Sequence, residues 1–267
     1  MVSESYTQFD EKMLEKLKQL GFKEEKPGKF ETLRLKGKCV VILYKSGKLL
    51  LQGNEEQLKS LKKILKPRNT GQLELVDETL VGTDEALKGD TFGGVVVAGV
   101  RANKRTRKKL LHLGVKDSKA LNKAKIELMA RKIMEGFPYR YIELNPAEYN
   151  RKVKAMGLTR LLNKLHKECY KKLKTKKSKH IVDKYPGCNI ADVALEKGES
   201  KCVEIAAASI IARFIALRQI NELSKAAGFR IPLGSTHVAA AIRKLKQKNL
   251  PLEMFLKLHF ANVQKDL

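Results

Sequence analysis

Hydrophobic positions in the first 66 residues follow two different periods. Leu14, Leu17 and Leu20 recur at helical spacing within residues 9–20, and the run stops at Gly21, a residue suited to a helix C-cap. Three short strand-like runs follow, at 30–35, 39–44 and 48–52. Lys36-Gly37-Lys38 and Lys45-Ser46-Gly47 separate them as hairpin turns. Leu58, Leu61, Ile64 and Leu65 then mark a second amphipathic helix. The pattern predicts a small meander of three strands, or a longer one, with helices on one face. The other face is expected to stay open and carry Lys and Arg.

The stretch KPRNTGQ (66–72) interrupts this pattern with proline, asparagine and glycine in succession. It divides the chain into a domain at 1–66, a linker at 67–72 and a second domain at 73–267. Beyond it, strand signals lie at 79–84, 92–100, 139–144 and 179–183. Helical periods lie at 123–134, 146–154, 158–173, 202–226 and 238–246. The VVVAGV run reads as a strand covered on both faces. Strands and helices mixed in this way predict an α/β domain around a central sheet.

Against this background four acidic residues stand out. Asp84 and Glu85 end one apolar run, Asp183 ends another, and Glu199 opens the long apolar stretch 202–226. Alternation along a strand sends adjacent Asp84 and Glu85 to opposite faces, so sharing a site requires the strand to end or distort there. Any one of these acids alone reads as a turn or cap residue. Glu199 alone could simply complement a helix dipole. As a set they could hold two divalent cations roughly 4 Å apart, the arrangement that activates water and stabilises a leaving oxygen in phosphodiester hydrolysis. Hard oxygen donors without a His/Cys set favour magnesium, with manganese an alternative.

Composition sharpens the reading. The 267 residues carry 55 Lys and Arg against 29 Asp and Glu, a formal net charge of +26. Carboxylates clustered in so basic a chain fit a metal held against a phosphate backbone, and nucleic acid is the favoured partner. No apolar stretch approaches the roughly 20 residues that span a bilayer. The four cysteines are scattered without a C-x-x-C pair, as in reduced cytoplasmic proteins. The five histidines lack metal-ligand spacing, and none is assigned to catalysis. Arg101–Lys109 holds six basic residues and 164–179 eight more, read first as solvated helix faces. Lys116, Ser118 and Lys119, just ahead of a helix, could hold a phosphate.

Four ordered motifs, GTDEALKGDTFGGVVVAGV, LGVKDSKAL, IVDKYPG and KGESKCVEIAAASIIAR, resemble the type 2 ribonucleases H, and specifically ribonuclease HIII. KLHFAN and LNPAEYN are similar to that branch, and LYKSGKLLLQG resembles its N-terminal TATA-binding-protein-like domain. The resemblance implies a ribonuclease H-like catalytic domain, its mixed sheet flanked by helices, behind a small α+β TATA-binding-protein-like module. It implies cleavage of the RNA strand of RNA/DNA hybrids to 3′-hydroxyl and 5′-phosphate ends, with Asp84, Glu85, Asp183 and Glu199 as catalytic acids and metal ligands. The rival reading is a hybrid-binding protein that kept the fold and lost turnover. No protein partner is implied. The family's glycine-flanked loop falls on Leu87, Lys88 and Gly89, with Lys88 and Gly89 placed to meet substrate. Leu87 departs from it, standing where the first glycine is expected. A β-carbon there disfavours a positive φ, so cleavage at a single ribonucleotide within duplex DNA is not expected. Phe30, Arg34, Lys38, Tyr44 and Lys45 are the candidate contacts of the N-terminal module, which would add affinity without sequence preference.

Overall fold

Alternating apolar residues in the N-terminal quarter close against two short helices. A computed structural model describes residues 2–6, 12–45, 49–65, 78–115 and 121–265. The chain divides into two units, Met1–Gln72 and Leu73–Leu267. The break at 66–72 and the phosphate candidates Lys116, Ser118 and Lys119 lie outside the described residues.

The first unit runs β1 (Val2–Tyr6), α1 (Lys12–Gln19), β2 (Lys23–Glu25), β3 (Glu31–Lys36), β4 (Val40–Tyr44), β5 (Leu49–Gly53) and α2 (Glu55–Leu65). Its sheet is antiparallel in the order β1-β5-β4-β3-β2, so the expected three-stranded meander is the centre of a five-stranded sheet. The added strands, VSESY and KEE, are short and mostly polar, although Tyr6 joins the core. Leu35, Val41, Leu49 and Leu51 pack from the sheet onto Leu14, Leu17, Leu58, Leu61 and Leu65 of the helices. Leu20 does not join them. The helix stops at Gln19, Gly21 turns away at a φ of +86°, and Leu20 is 60% exposed.

The second unit runs β6 (Thr79–Ala86), β7 (Val95–Ala102), α3 (Lys104–His112), α4 (Lys123–Gly136), β8 (Tyr139–Leu144), α5 (Pro146–Met156), α6 (Leu158–Leu173), β9 (Ser178–Asp183), β10 (Val193–Leu195), α7 (Gly198–Lys201), α8 (Val203–Ala227), α9 (Ala239–Gln247) and α10 (Ala261–Gln264). The sheet order is β10-β9-β6-β7-β8. β7 is antiparallel to both neighbours, whereas β9 runs parallel to β6 and β10, making the sheet mixed. Alternation along β7 sends Val96, Ala98 and Val100 into a core with α8, and Val95 and Val97 into one with α6. The strand is covered on both faces, as its unbroken apolar run requires.

The β6–α8 contact is close. A β-carbon added at Gly82 would stand 2.4 Å from the backbone of Glu204 and of Ile205, so only glycine lets the helix lie on the strand. Arg107 of α3 fastens the start of that helix. Its buried guanidinium donates to Glu204 Oε1 at 2.6 Å and to the Glu78 carbonyl at 3.0 Å. The basic stretch Arg101–Lys109 is therefore not one solvated face, since Arg107 is core and Arg101 donates to the Leu173 carbonyl. Among the described residues no helix is long and apolar enough to cross a membrane.

Candidate active site

The parallel register of β6 and β9 pairs Gly82 with Ile181 and Thr83 with Val182. One further step along both strands brings Asp84 alongside Asp183. β6 does not end at Asp84, as the sequence suggested, but stays paired with β7 through Ala86. Alternation therefore holds without distortion. Asp84 shares the α8 face with Gly82 and is hydrogen bonded to Ser209 of α8. Glu85 shares the α6 face with Thr83, and both reach His166. The Asp84 side chain folds back, its Oδ1 accepting from the Glu85 N–H at 2.8 Å, and the Glu85 charge acts on it. The site straddles the end of the strand.

Glu199 falls just before the long helix, as read, but within α7, a separate turn that was not read, entered through Lys197 at a φ of +54° and closed by an extended Cys202. The Gly198 N–H donates to Asp183 Oδ1 at 2.6 Å, tying this turn to the end of β9. A β-carbon at Gly198 would meet Asp183 at 3.2 Å and Ile205 Cδ1 at 2.8 Å, which leaves little room for any other residue.

Electrostatics show the four carboxylates acting on one another. Burial, then the charges of Glu85 and Asp183, push the Asp84 carboxyl well above the usual carboxylate range, against the hydrogen bonds from Ser209 and the Glu85 N–H. Asp183 is raised by burial and by Glu199 and Glu85, with the Gly198 N–H opposing. Glu85 goes the other way. Burial would raise its pKa, but the His166 ring and the Lys88 ammonium outweigh that and hold it down. Lys88 Nζ pairs with Glu85 Oε1 and lies 5.6 Å from the centre of the Tyr185 ring. Glu85 Oε2 lies 3.2 Å from His166 Nε2, outside hydrogen-bonding geometry, and both atoms are buried without a hydrogen-bond partner.

Among the described residues no three His, Cys, Asp or Glu side chains already stand as a closed metal cage. The donor set nonetheless suits a hard divalent cation: carboxylate oxygens that repel one another, one of them buried and unsatisfied.

The loop after β6 takes the left-handed turn the sequence argued against. Leu87 has a φ of +66° and is buried in the core beside Gly93 and Gln219, while Gly89 has an ordinary φ and open space around it. A β-carbon does not forbid the conformation here, because packing of the leucine side chain holds the backbone in it. The loop is anchored from behind by residues 255–262. Lys257, fully buried, donates from Nζ to the carbonyls of Asp90 (2.6 Å) and Gly93 (3.0 Å), with the Tyr149 and Phe260 rings beside it. Phe92 bridges Leu256, and Asn262 donates to Thr91 Oγ1.

In the N-terminal unit the open face carries less free charge than expected. Arg34 pairs with Glu25 and Glu31, and Lys36 with Glu25. Phe30 is 69% exposed, Tyr44 is half-buried on the same face as Ile42, and Lys38 and Lys45 are exposed.

His166 is the site neighbour that the sequence did not disclose. It lies within the lysine-rich stretch, yet falls on the buried stripe of α6 with Leu162, Leu165 and Cys169. That helical spacing was the available signal.

A family model described as ribonuclease HII matches residues 81–263. The chain is 32% identical over 273 residues to the ribonuclease HIII of Bacillus cereus, covering 85% of each chain. It is 33% identical over 263 residues to that of Bacillus subtilis, covering 85% of this chain and 84% of the relative. Among solved structures it resembles Bst-RNase HIII in complex with Mn2+, at 30% identity and a TM-score of 0.66, over 98% of this chain and 97% of the other.

Proposed function

Because the chain belongs to the ribonuclease HII family, and within it stands with the ribonucleases HIII, we propose that Asp84, Glu85, Asp183 and Glu199 are its catalytic acids and that they hold two divalent cations. The protein is a ribonuclease H, an endonuclease acting on RNA/DNA hybrids. Magnesium is the proposed physiological ion, on the strength of an all-oxygen donor set, and manganese a substitute. Once bound, the ion pair would supply an activated water and a counter-charge for the leaving oxygen, with no covalent enzyme intermediate.

The observation that carries this reading is the gathering of carboxylates at one place: burial, and after it the charges of neighbouring acids, raise both Asp84 and Asp183, which calls for positive charge between them. Asp84 and Asp183 form the floor on adjacent parallel strands, with Glu85 reaching in from the opposite face and Glu199 from α7. His166 and, after it, Lys88 hold the Glu85 pKa down, and Lys88 with the outward-facing Gly89 is the proposed contact to the phosphate at the cut. Lys116, Ser118 and Lys119 are proposed to hold a second phosphate. The N-terminal module, 1–66 ahead of a linker at 67–72, is proposed to grip the hybrid through Phe30, Tyr44, Lys38 and Lys45. Arg34, engaged by Glu25 and Glu31, would join only if those pairs open. The catalytic domain, 73–267, is proposed to act in the cytoplasm.

Labelled RNA/DNA, RNA/RNA and DNA/DNA duplexes, incubated with the wild type and Asp183→Asn with and without magnesium, test the assignment. Magnesium-dependent loss of the hybrid's RNA strand alone, abolished by the substitution, is expected. Full cleavage by the variant would remove Asp183 from the catalytic set.

A further inference from the structure

Residues 87–90 form a tight turn, closed by the Asp90 N–H on the Leu87 carbonyl at 3.2 Å, with Lys88 and Gly89 at its tip. The tip is only as well placed as the two feet of the turn. Leu87, the first foot, is buried in the core. Asp90, the second, is half-buried and brings no apolar side chain to pack. Polar contacts hold it instead. Its Oδ1 accepts from the Gly234 N–H at 2.6 Å, and its carbonyl accepts from Lys257 Nζ at 2.6 Å. The same nitrogen donates to the Gly93 carbonyl at 3.0 Å, and the Lys257 N–H donates to the Thr91 carbonyl at 2.9 Å. One residue thus gathers the whole segment 90–93 onto itself.

Lysine is a costly choice for such a place. It is fully buried with the Tyr149 and Phe260 rings beside it, where a methionine of similar length would pack without taking an amine out of water. What methionine lacks is donors, and the Asp90 and Gly93 carbonyls call for two of them. A polar group buried at such a cost is accounted for by the arrangement that it fixes.

We propose that Lys257 is a positioning residue for Lys88: by holding the Asp90 foot, it aims the tip of the turn at the phosphate at the cut. Lys257 itself, being buried, meets no substrate. The inference rests on the reading of Lys88 as a phosphate contact.

A double-mutant cycle on kcat/KM for hybrid cleavage by the full-length protein in magnesium tests it. Lys257→Met is expected to lower kcat/KM about tenfold in the wild type, as a misplaced contact does. In Lys88→Ala, where the tip has no charge left to aim, the same substitution should cost less than about threefold. A general loosening of the fold would instead cost as much in both backgrounds. Lys257→Gln keeps an N–H pair on a side chain one atom shorter. It should lose less than Lys257→Met in the wild type, and it takes the place of methionine in the cycle if that variant fails to fold. A penalty of about threefold or more in Lys88→Ala, or a smaller one than that in the wild type, would overturn the inference while leaving Lys88 as a contact. Cleavage by Lys88→Ala as fast as by the wild type would bring down the reading of Lys88 and this inference together.

Discussion

Leu87 shows how a single residue can hold a backbone conformation that its own chemistry opposes. A non-glycine residue in the left-handed region costs about 1–2 kcal/mol, and burying a leucine offsets it. Substitution should therefore reverse the usual order of alanine and glycine. Leu87→Ala loses the packing and keeps the strain, whereas Leu87→Gly loses the packing and relieves it. The alanine variant should be the less stable by about 1 kcal/mol in urea unfolding. An alanine variant more stable than the glycine one would show that φ at this position is not positive. The sequence displayed the departure at 87 but not its outcome, because the core that takes in the leucine includes Ala216 and Ile220 of α8, far along the chain. The four acids drew attention for the opposite reason: a charge beside an apolar element is visible without knowing its neighbours. His166 was passed over, since the lysines around it masked its place on the apolar stripe of α6.

Among the elements, those with a strong period of their own were legible. β8 and α6 occupy the residues their patterns assign, 139–144 and 158–173. β1, β2 and β10 were not, being short edge strands defined by what they pair with. α3 was read only as a solvated helix face within Arg101–Lys109, because after its cap, Asn103 with Thr106, comes a run of basic residues. The same dependence on distant partners governs the anchor of the loop 87–94. Burial lowers the pKa of Lys257 from 10.5 to about 7, with the Asp90 charge opposing. Below pH 7 the ammonium is charged in both states and its burial cost is fully felt. Between about pH 7 and 10.5 the folded state has released the proton while the unfolded state keeps it, so stability rises with pH, by at most about 1.4 kcal/mol per unit. The stability difference between the wild type and Lys257→Met should shift with that slope in favour of the wild type, when measured by urea unfolding from pH 7 to 10. A difference that stays level across this range would show that the amine is solvated.

For the molecule as a whole, the α/β class, the mixed sheet and the family were legible, because period and ordered motifs survive without coordinates. The N-terminal sheet was read only at its centre, and its internal ion pairs could not be read at all. If the N-terminal module grips hybrid through exposed lysines, deleting residues 1–72 should weaken hybrid affinity. It should also flatten the dependence of log K on log salt by about 0.9 for each phosphate the module would have neutralised. An unchanged slope, measured by fluorescence anisotropy across a salt series, would remove the module from the binding surface. The parallel pairing of Thr83 with Val182 has a consequence for synthesis: the acids it gathers are encoded nearly a hundred codons apart, with Glu199 later still. If the four acids are the catalytic ones, a nascent polypeptide thus stays unable to cut a hybrid until Glu199 has left the ribosome.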